Sequence, residues 1–581
     1  MSLLLKTAIR LHGRRGARLL DGATAAPRAA QLEFLLNLLH RNAATTFGRL
    51  HGFAHIRTEA DYRRRVEVTD YEGFRPFVNR IMAGQRNVLT RDEPVLLTMT
   101  SGTTGEQKFI PVTRQSQRAE SALMRQWLAR ALSDHPGYMD ARSVAIVSRA
   151  VEGLTPAGLA YGSASGVTYK NVPRLIRRAQ AIPYVVAEVE DYDQRYFLIA
   201  RFALAAAVSF IITPNPSTLM RLAEVVEQHS EQLLRAIHDG THGLDAGEAA
   251  AQPEIFRQLS SGLRPEHERA RFLDGVLRRR GSLRLAECWP ELKLIACWIG
   301  GSVGTQARKL TPIYGDVPLR DLGYIASEGR FTVPFEDHTP SGILALHSNF
   351  YEFIPEEETD SARPNVLLSH ELEAGRRYSI LLTTHAGLYR YRIQDIVEVT
   401  GFRRQAPLVA FVRKEGEMAN ITGEKLHVNH LILALDEARR RCRLDIQQFR
   451  AAPDFSGSRY DIYLELRGSA THRQLETEVL PTIDRALAAV NVEYAQKRAS
   501  RRLSAPRLQL MRAGWASEIS RRRIVGGKRD TQYKWPLLAS QACPEDAPFI
   551  MSTVEACDES LMSTVEACEE SLPAFNFSAA A

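Results

Sequence analysis

A short apolar strand, Val95-Leu-Leu-Thr-Met-Thr100, runs without a break into Ser101-Gly-Thr-Thr-Gly105, and Lys108 then leads into a second apolar stretch. A loop of hydroxyls and glycines set between two buried strands suits phosphate. Glycine lets backbone N–H groups approach closely, Ser and Thr hydroxyls donate to oxygens, and Lys108 adds charge. The spacing does not match G-x-x-x-x-G-K-[ST], so this is not the common P-loop. The alternative is a polar turn ahead of a capped helix.

The rest of the pattern is read around that strand. Helical spacing covers 29–54, 115–133 and 217–239, the last opened by Asn215-Pro-Ser-Thr218 with its own cap. Short strands recur at 292–299, 343–354, 378–384 and 396–400. Helices alternating with strands imply an α/β fold with a substantial sheet. The pattern restarts after Phe411 with a helix at 428–442, a strand at 460–466 and a helix at 471–490, a compact α+β unit. We expect a large domain over 1–411, a small one over 412–540, and an acidic, disordered tail over 541–581. That tail repeats Met551-Ser-Thr-Val-Glu-Ala-Cys-Asp-Glu-Ser-Leu561 almost unchanged as 562–572. Two copies are too few for a solenoid. Truncation after Leu538 is expected to leave the core folded, and docking of the tail on the basic body is left open.

Composition excludes several classes. With 44% apolar and 24% charged residues in 581, the chain is globular. Six cysteines without a C-x-x-C pair give neither a disulfide framework nor a zinc site. The longest near-continuous apolar run, 202–212, broken only by Ser209, is too short to span a bilayer, and the N-terminus lacks a signal-peptide core, so a cytoplasmic protein is expected. The tail holds eight acids and no Lys or Arg, which leaves 75 basic against 59 acidic residues, a net of +16, on 1–540. Such a body favours anionic ligands. The basic residues are scattered and no nucleic-acid motif is present, so nucleic acid is disfavoured as a partner.

Three further segments carry chemistry. In Tyr324-Ile-Ala-Ser-Glu-Gly329 the tyrosine could stack on a base and Glu328 could hold Mg²⁺ against a phosphate, although each residue alone is commonplace. Upstream, Gly300 and Gly301 end a strand and suit close approach of a planar ring. Arg390, Arg392 and Asp395 lie among apolar residues, where unpaired charge is costly; either salt bridges or a grip on a ribose diol would explain them. Gln532-Tyr-Lys-Trp-Pro536 says little by itself.

In order and surroundings these segments resemble the Gretchen Hagen family of acyl-acid amido synthetases, within the adenylate-forming superfamily. The collinear matches include Asp70-Tyr71, Ile81-Met-Ala-Gly84, the Ser-Gly-Thr-Thr-Gly loop, Asn215-Pro-Ser-Thr-Leu, Tyr351-Glu-Phe-Ile-Pro355, Thr383-Thr384, Gly387-Leu-Tyr-Arg-Tyr, Gly423-Glu-Lys-Leu426 and Gln532-Tyr-Lys. The resemblance implies a large adenylate-forming domain, with β-sheets flanked by helices, and a small mobile α+β domain. It implies an ATP- and Mg²⁺-dependent ligase that adenylates a small carboxylic acid and passes the acyl group to an amine, such as an amino acid. Ser101, Gly102, Thr103, Thr104 and Gly105 then form the phosphate loop with Lys108, and Gly300, Gly301 and Tyr324 the adenine site. Ser327 and Glu328 contact phosphate, with Glu328 as the Mg²⁺ ligand; Asp395 anchors the ribose and Arg413 is a second nucleotide contact. Lys534 is the mobile lysine. The chain departs from the family where Gln394 replaces a glycine before Asp395, and where Ala326-Ser-Glu replaces Ser-Ser-Glu. Alternatives for the same intermediate are a CoA or carrier-thioester ligase, or a degenerate nucleotide-binding protein.

Overall fold

The computed structural model describes residues 3–100, 107–170, 172, 174–245, 247, 250–415, 418–422, 424, 426–525, 534–539 and 541–555. The hydroxyl–glycine loop 101–105 and the second copy of the tail repeat lie outside them. The chain divides into two compact units, 1–415 with 523–534, and 416–522 with 535–581.

The larger unit holds three main sheets. The strands Arg142–Ala145, Val208–Ile212, Leu294–Ala296 and Leu319–Arg320 form a four-stranded parallel sheet in that order. Their apolar runs are buried, as parallel strands require. A seven-stranded antiparallel sheet is centred on the long strand Tyr391–Arg403, which pairs with Arg377–Thr383 on one side and Ala406–Lys414 on the other. The third sheet sets Pro94–Thr100 against Lys108–Thr113, with Thr100 opposite Lys108.

Helices begin where the caps predict. Asn215 Oδ1 accepts from the N–H of Ser217 and Thr113 Oγ1 from that of Ser116. The helical run expected over 217–239 breaks at His229 into Pro216–Gln228 and Ser230–Asp239. The basic N-terminal segment forms a helix, Leu3–Ala25, that packs on Arg114–Asp134. Contact is close because Gly13 faces Ala129: a Cβ there would lie 2.0 Å from the alanine Cβ.

The smaller unit is an α+β sandwich. Its sheet runs Ile446–Asp454, Arg459–Leu466, Arg507–Met511, Ile550–Glu555. The fourth strand corrects the tail boundary expected at 541. Residues 544–549 form a 3₁₀ turn and 550–555 complete the sheet. Composition hid this because the segment is acidic and short. One acid, Asp546, is in fact buried: it pairs with Arg450 at 2.5 Å and accepts from Trp515 Nε1 at 2.9 Å. Arg450 in turn lies over the Trp535 ring, 4.2 Å from its centroid. Truncation after Leu538 would strand a buried guanidinium, so it is expected to destabilise this unit rather than spare it.

Candidate active site

The centre of the site is built at one end of the seven-stranded sheet. Asp395 lies on the strand Tyr391–Arg403 and is buried, and the Tyr324 hydroxyl donates to its Oδ2 at 2.5 Å. Lys414, on the adjoining strand, pairs with Asp395 Oδ1. Glu328 is also buried and accepts at Oε1 from the Tyr391 hydroxyl at 3.2 Å. Burial raises the Glu328 carboxyl above its ordinary range; Lys414 opposes the rise and Asp395 adds to it. Two buried carboxylates, one ammonium and two phenols thus cluster at this end of the sheet. Sequence reasoning brought Tyr324, Glu328 and Asp395 forward; it missed Tyr391 and Lys414. Both stand at strand positions two residues or fewer from flagged ones, Arg390, Arg392 and Arg413, so the signal was present but undivided.

Ser327 enters through its backbone. Its carbonyl accepts from Thr98 Oγ1 at 3.3 Å, which ties the 324–329 hairpin to the strand that precedes the hydroxyl–glycine loop. Lys108, at the other side of that loop, holds its ammonium 5.7 Å from the Tyr71 ring centroid. The loop residues Ser101, Gly102, Thr103, Thr104 and Gly105 lie outside the described residues.

The glycine pair has a protein reason as well. Gly301 sits at φ +57°, and a Cβ there would come within 2.9 Å of the Phe411 ring; a Cβ on Gly300 would meet Pro340 at 2.6 Å. The planar ring that approaches Gly301 is Phe411, which stacks on Tyr324 with centroids 5.7 Å apart. Lys534 places Nζ 5.1 Å from the centroids of both Trp298 and Phe411. Asp321 fixes this corner by accepting from the N–H groups of Ile299 and Gly323 at 2.7 and 2.6 Å. Nothing in the sequence reading had singled it out.

The arginines divide differently. Arg390 is buried in a two-point ion pair with Glu352, which also receives Arg63. Arg392 pairs with Glu415. Of the two readings offered for these charges, salt bridges describe the arginines. Arg413, expected at the nucleotide, is buried with its guanidinium on Glu356 and on the carbonyls of Lys414 and Glu415. Its contacts hold the end of the sheet together, and the Lys414 carbonyl sets it next to the residue that pairs with Asp395.

Gln394 adopts φ +62°, the left-handed region that favours glycine. The departure noted in the sequence thus falls on a backbone that a glycine would adopt without strain.

A small hollow of about 10 Å³ adjoins Glu328 and is lined among others by Ser116, Glu120, Leu123, Arg330 and His385. Burial pushes the Glu120 carboxyl up to about 7, against the pull of Arg330. Among the described residues no group of three or more His, Cys, Asp or Glu is placed to hold a metal ion. Mg²⁺ bound with a nucleotide needs only one or two carboxylates besides phosphate oxygens, and Glu328 fits that donor set. No helix among the described residues is long and apolar enough to cross a membrane.

Compared with known proteins, residues 17–319 match the GH3 family N-terminal domain, 342–414 the GH3 family central domain and 429–542 the GH3 family C-terminal domain. The chain belongs to the GH3 family. It is 25% identical to jasmonoyl–L-amino acid synthetase GH3.5 of Oryza sativa subsp. japonica, over 87% of this chain and 91% of that protein. It is 24% identical to indole-3-acetic acid-amido synthetase GH3.10 of Arabidopsis thaliana, over 81% and 84%. The solved structure of GH3.15 acyl acid amido synthetase superposes with a TM-score of 0.80 at 21% identity, covering 93% of this chain and 96% of that one. The GH3 fold therefore extends over nearly the whole chain.

Proposed function

We propose that this GH3 family member is an ATP-dependent ligase that adenylates a small carboxylic acid and transfers the acyl group to the amine of an amino acid. The observation that carries the reading is the pair of buried carboxylates, Glu328 and Asp395, held by Tyr391, Tyr324 and Lys414 beside the strand leading into the hydroxyl–glycine loop. ATP is a substrate here. Asp395 is assigned to its ribose, the Tyr324–Phe411 face to its base, and residues 101–105 with Lys108 and Ser327 to its phosphates. Glu328 would hold Mg²⁺, which supplies neutralising charge where carboxylate and phosphate meet. Lys534 is assigned to the same neutralisation during adenylation. The smaller unit, 416–522 with 535–581, is read as the domain that moves between the two half-reactions.

A panel of small carboxylic acids tests this, with pyrophosphate release as the readout and amino acids or CoA added in turn. Acid-dependent release followed by an amino-acid conjugate is the expected result. Release followed only by a CoA thioester would replace the amide assignment, and no release with any acid would remove the ligase.

A further inference from the structure

All but the first residue of the edge strand Ile550–Glu555 belongs to the tandem repeat. It pairs antiparallel with Arg507–Met511, setting Glu555 opposite Arg507, Val554 opposite Leu508 and Thr553 opposite Gln509. Each side chain that fixes it is identifiable. Val554 is fully buried, Thr553 Oγ1 bonds Gln509 Oε1 at 2.6 Å, and Glu555 reaches Arg459 at 3.1 Å and Arg507 at 3.7 Å. The chain then supplies the same residues again. Met562-Ser-Thr-Val-Glu-Ala-Cys568 repeats Met551–Cys557 without a change, and Leu561 stands where the first copy has Ile550.

We propose that the place beside Arg507–Met511 has two alternative occupants in one chain, Ile550–Glu555 and Leu561–Glu566. Strand register is ordinarily fixed because a slip of one residue turns the buried face outward. A slip of eleven residues is different here, because it returns a valine to the buried position, a threonine to Gln509 and a glutamate to Arg459 and Arg507. The two registers then differ mainly in the loop that joins the strand to Phe549, whose carbonyl is held by the N–H of Arg512. The first copy follows Phe549 directly, whereas the second leaves eleven residues to be looped out. Loop-closure statistics put the second register roughly 30- to 40-fold below the first. It is a minor state that becomes the main one when the first copy is spoiled, and it releases Ile550–Glu555 from the sheet.

Hydrogen exchange on the full chain tests this, comparing Val554→Asp, Val565→Asp and the double variant. The amides of 507–511 report occupancy of the place, and a peptide spanning 562–566 reports which copy fills it. With Val565→Asp, protection of 507–511 should match the parent within about twofold. With Val554→Asp it should fall about 30- to 40-fold while 562–566 gains protection, and the double variant should lose it. The proposal is overturned if Val554→Asp alone loses protection as fully as the double variant. It is equally overturned if Val565→Asp alone weakens 507–511, the mark of a strand added outside the first copy, or if the double variant keeps its protection.

Discussion

The Tyr324 hydroxyl and the Asp395 carboxylate are 71 residues apart in sequence and 2.5 Å apart in the fold, both buried. A residue expected to face a base and one expected to face a ribose thus hold each other. Asp395→Ala should weaken ATP binding roughly tenfold or more, since a charged hydrogen bond contributes about 1.5–3 kcal/mol. It should also lower stability, because the Tyr324 hydroxyl and Lys414 lose their partner. Tyr324→Phe separates the two effects: it keeps Asp395, costs about 1 kcal/mol of stability and changes ATP affinity less. Calorimetric titration beside thermal denaturation reads both, and unchanged ATP affinity in Asp395→Ala would remove the ribose assignment.

Lys534→Ala should block adenylate formation far more than amide formation from a supplied acyl-adenylate. The two half-reactions, measured separately, decide this. Equal losses in a folded variant would contradict a charge-neutralising role confined to adenylation.

Asp546→Ala should destabilise the smaller unit by about 3–5 kcal/mol, the usual cost of stranding one member of a buried ion pair. Truncation after Leu538 should do at least as much, since it also deletes the strand Ile550–Glu555. Urea denaturation followed by the fluorescence of Trp515 and Trp535 would show both. A truncated chain with parental stability would mean that the Arg450–Asp546 pair contributes nothing.

Gln394→Gly should be neutral or stabilising by up to about 1 kcal/mol, because relief of the left-handed backbone offsets the greater freedom of an unfolded glycine. A clear loss in melting temperature would show that the Gln394 side chain makes a compensating contact.

Two histidines set a pH dependence. Burial lowers both His347 and His385 to about 4. Between pH 6.5 and 4 the unfolded chain therefore binds more protons at these positions than the folded one, and their contribution to stability is lost as pH falls through that window. After allowance for partial exposure, about 2 kcal/mol each is expected. His347→Gln should flatten the slope of stability between pH 6.5 and 4.5 without altering it above pH 7. An unchanged slope would assign the acid sensitivity elsewhere.

Much of the site was legible because its residues come in short collinear runs. Tyr324, Glu328 and Asp395 were named from sequence and do converge, and the strand before the hydroxyl–glycine loop falls where its apolar run predicts. Lys414 and Asp321 were not legible. Lys414 stands between an arginine and a glutamate and Asp321 two residues before a glycine, contexts that announce no buried partner until the fold supplies one. At Arg413 position suggested a ligand, and nothing in the local sequence announced its carboxylate partner Glu356, 57 residues away on another segment. The strand at 550–555 was concealed by the acidic composition around it. Its burial rests on one valine and one ion pair, too little for a pattern to register.

The pairing of Thr100 with Lys108 fixes both feet of the hydroxyl–glycine loop on neighbouring strands, about 5 Å apart as antiparallel partners are. The Lys108 cation is thereby delivered by the sheet rather than by the loop. Grafting a loop of different length or hydroxyl pattern between the same two feet would change what greets the anion while leaving that charge where it stands. Length and charge at this position are thus separable variables for anyone retuning the protein.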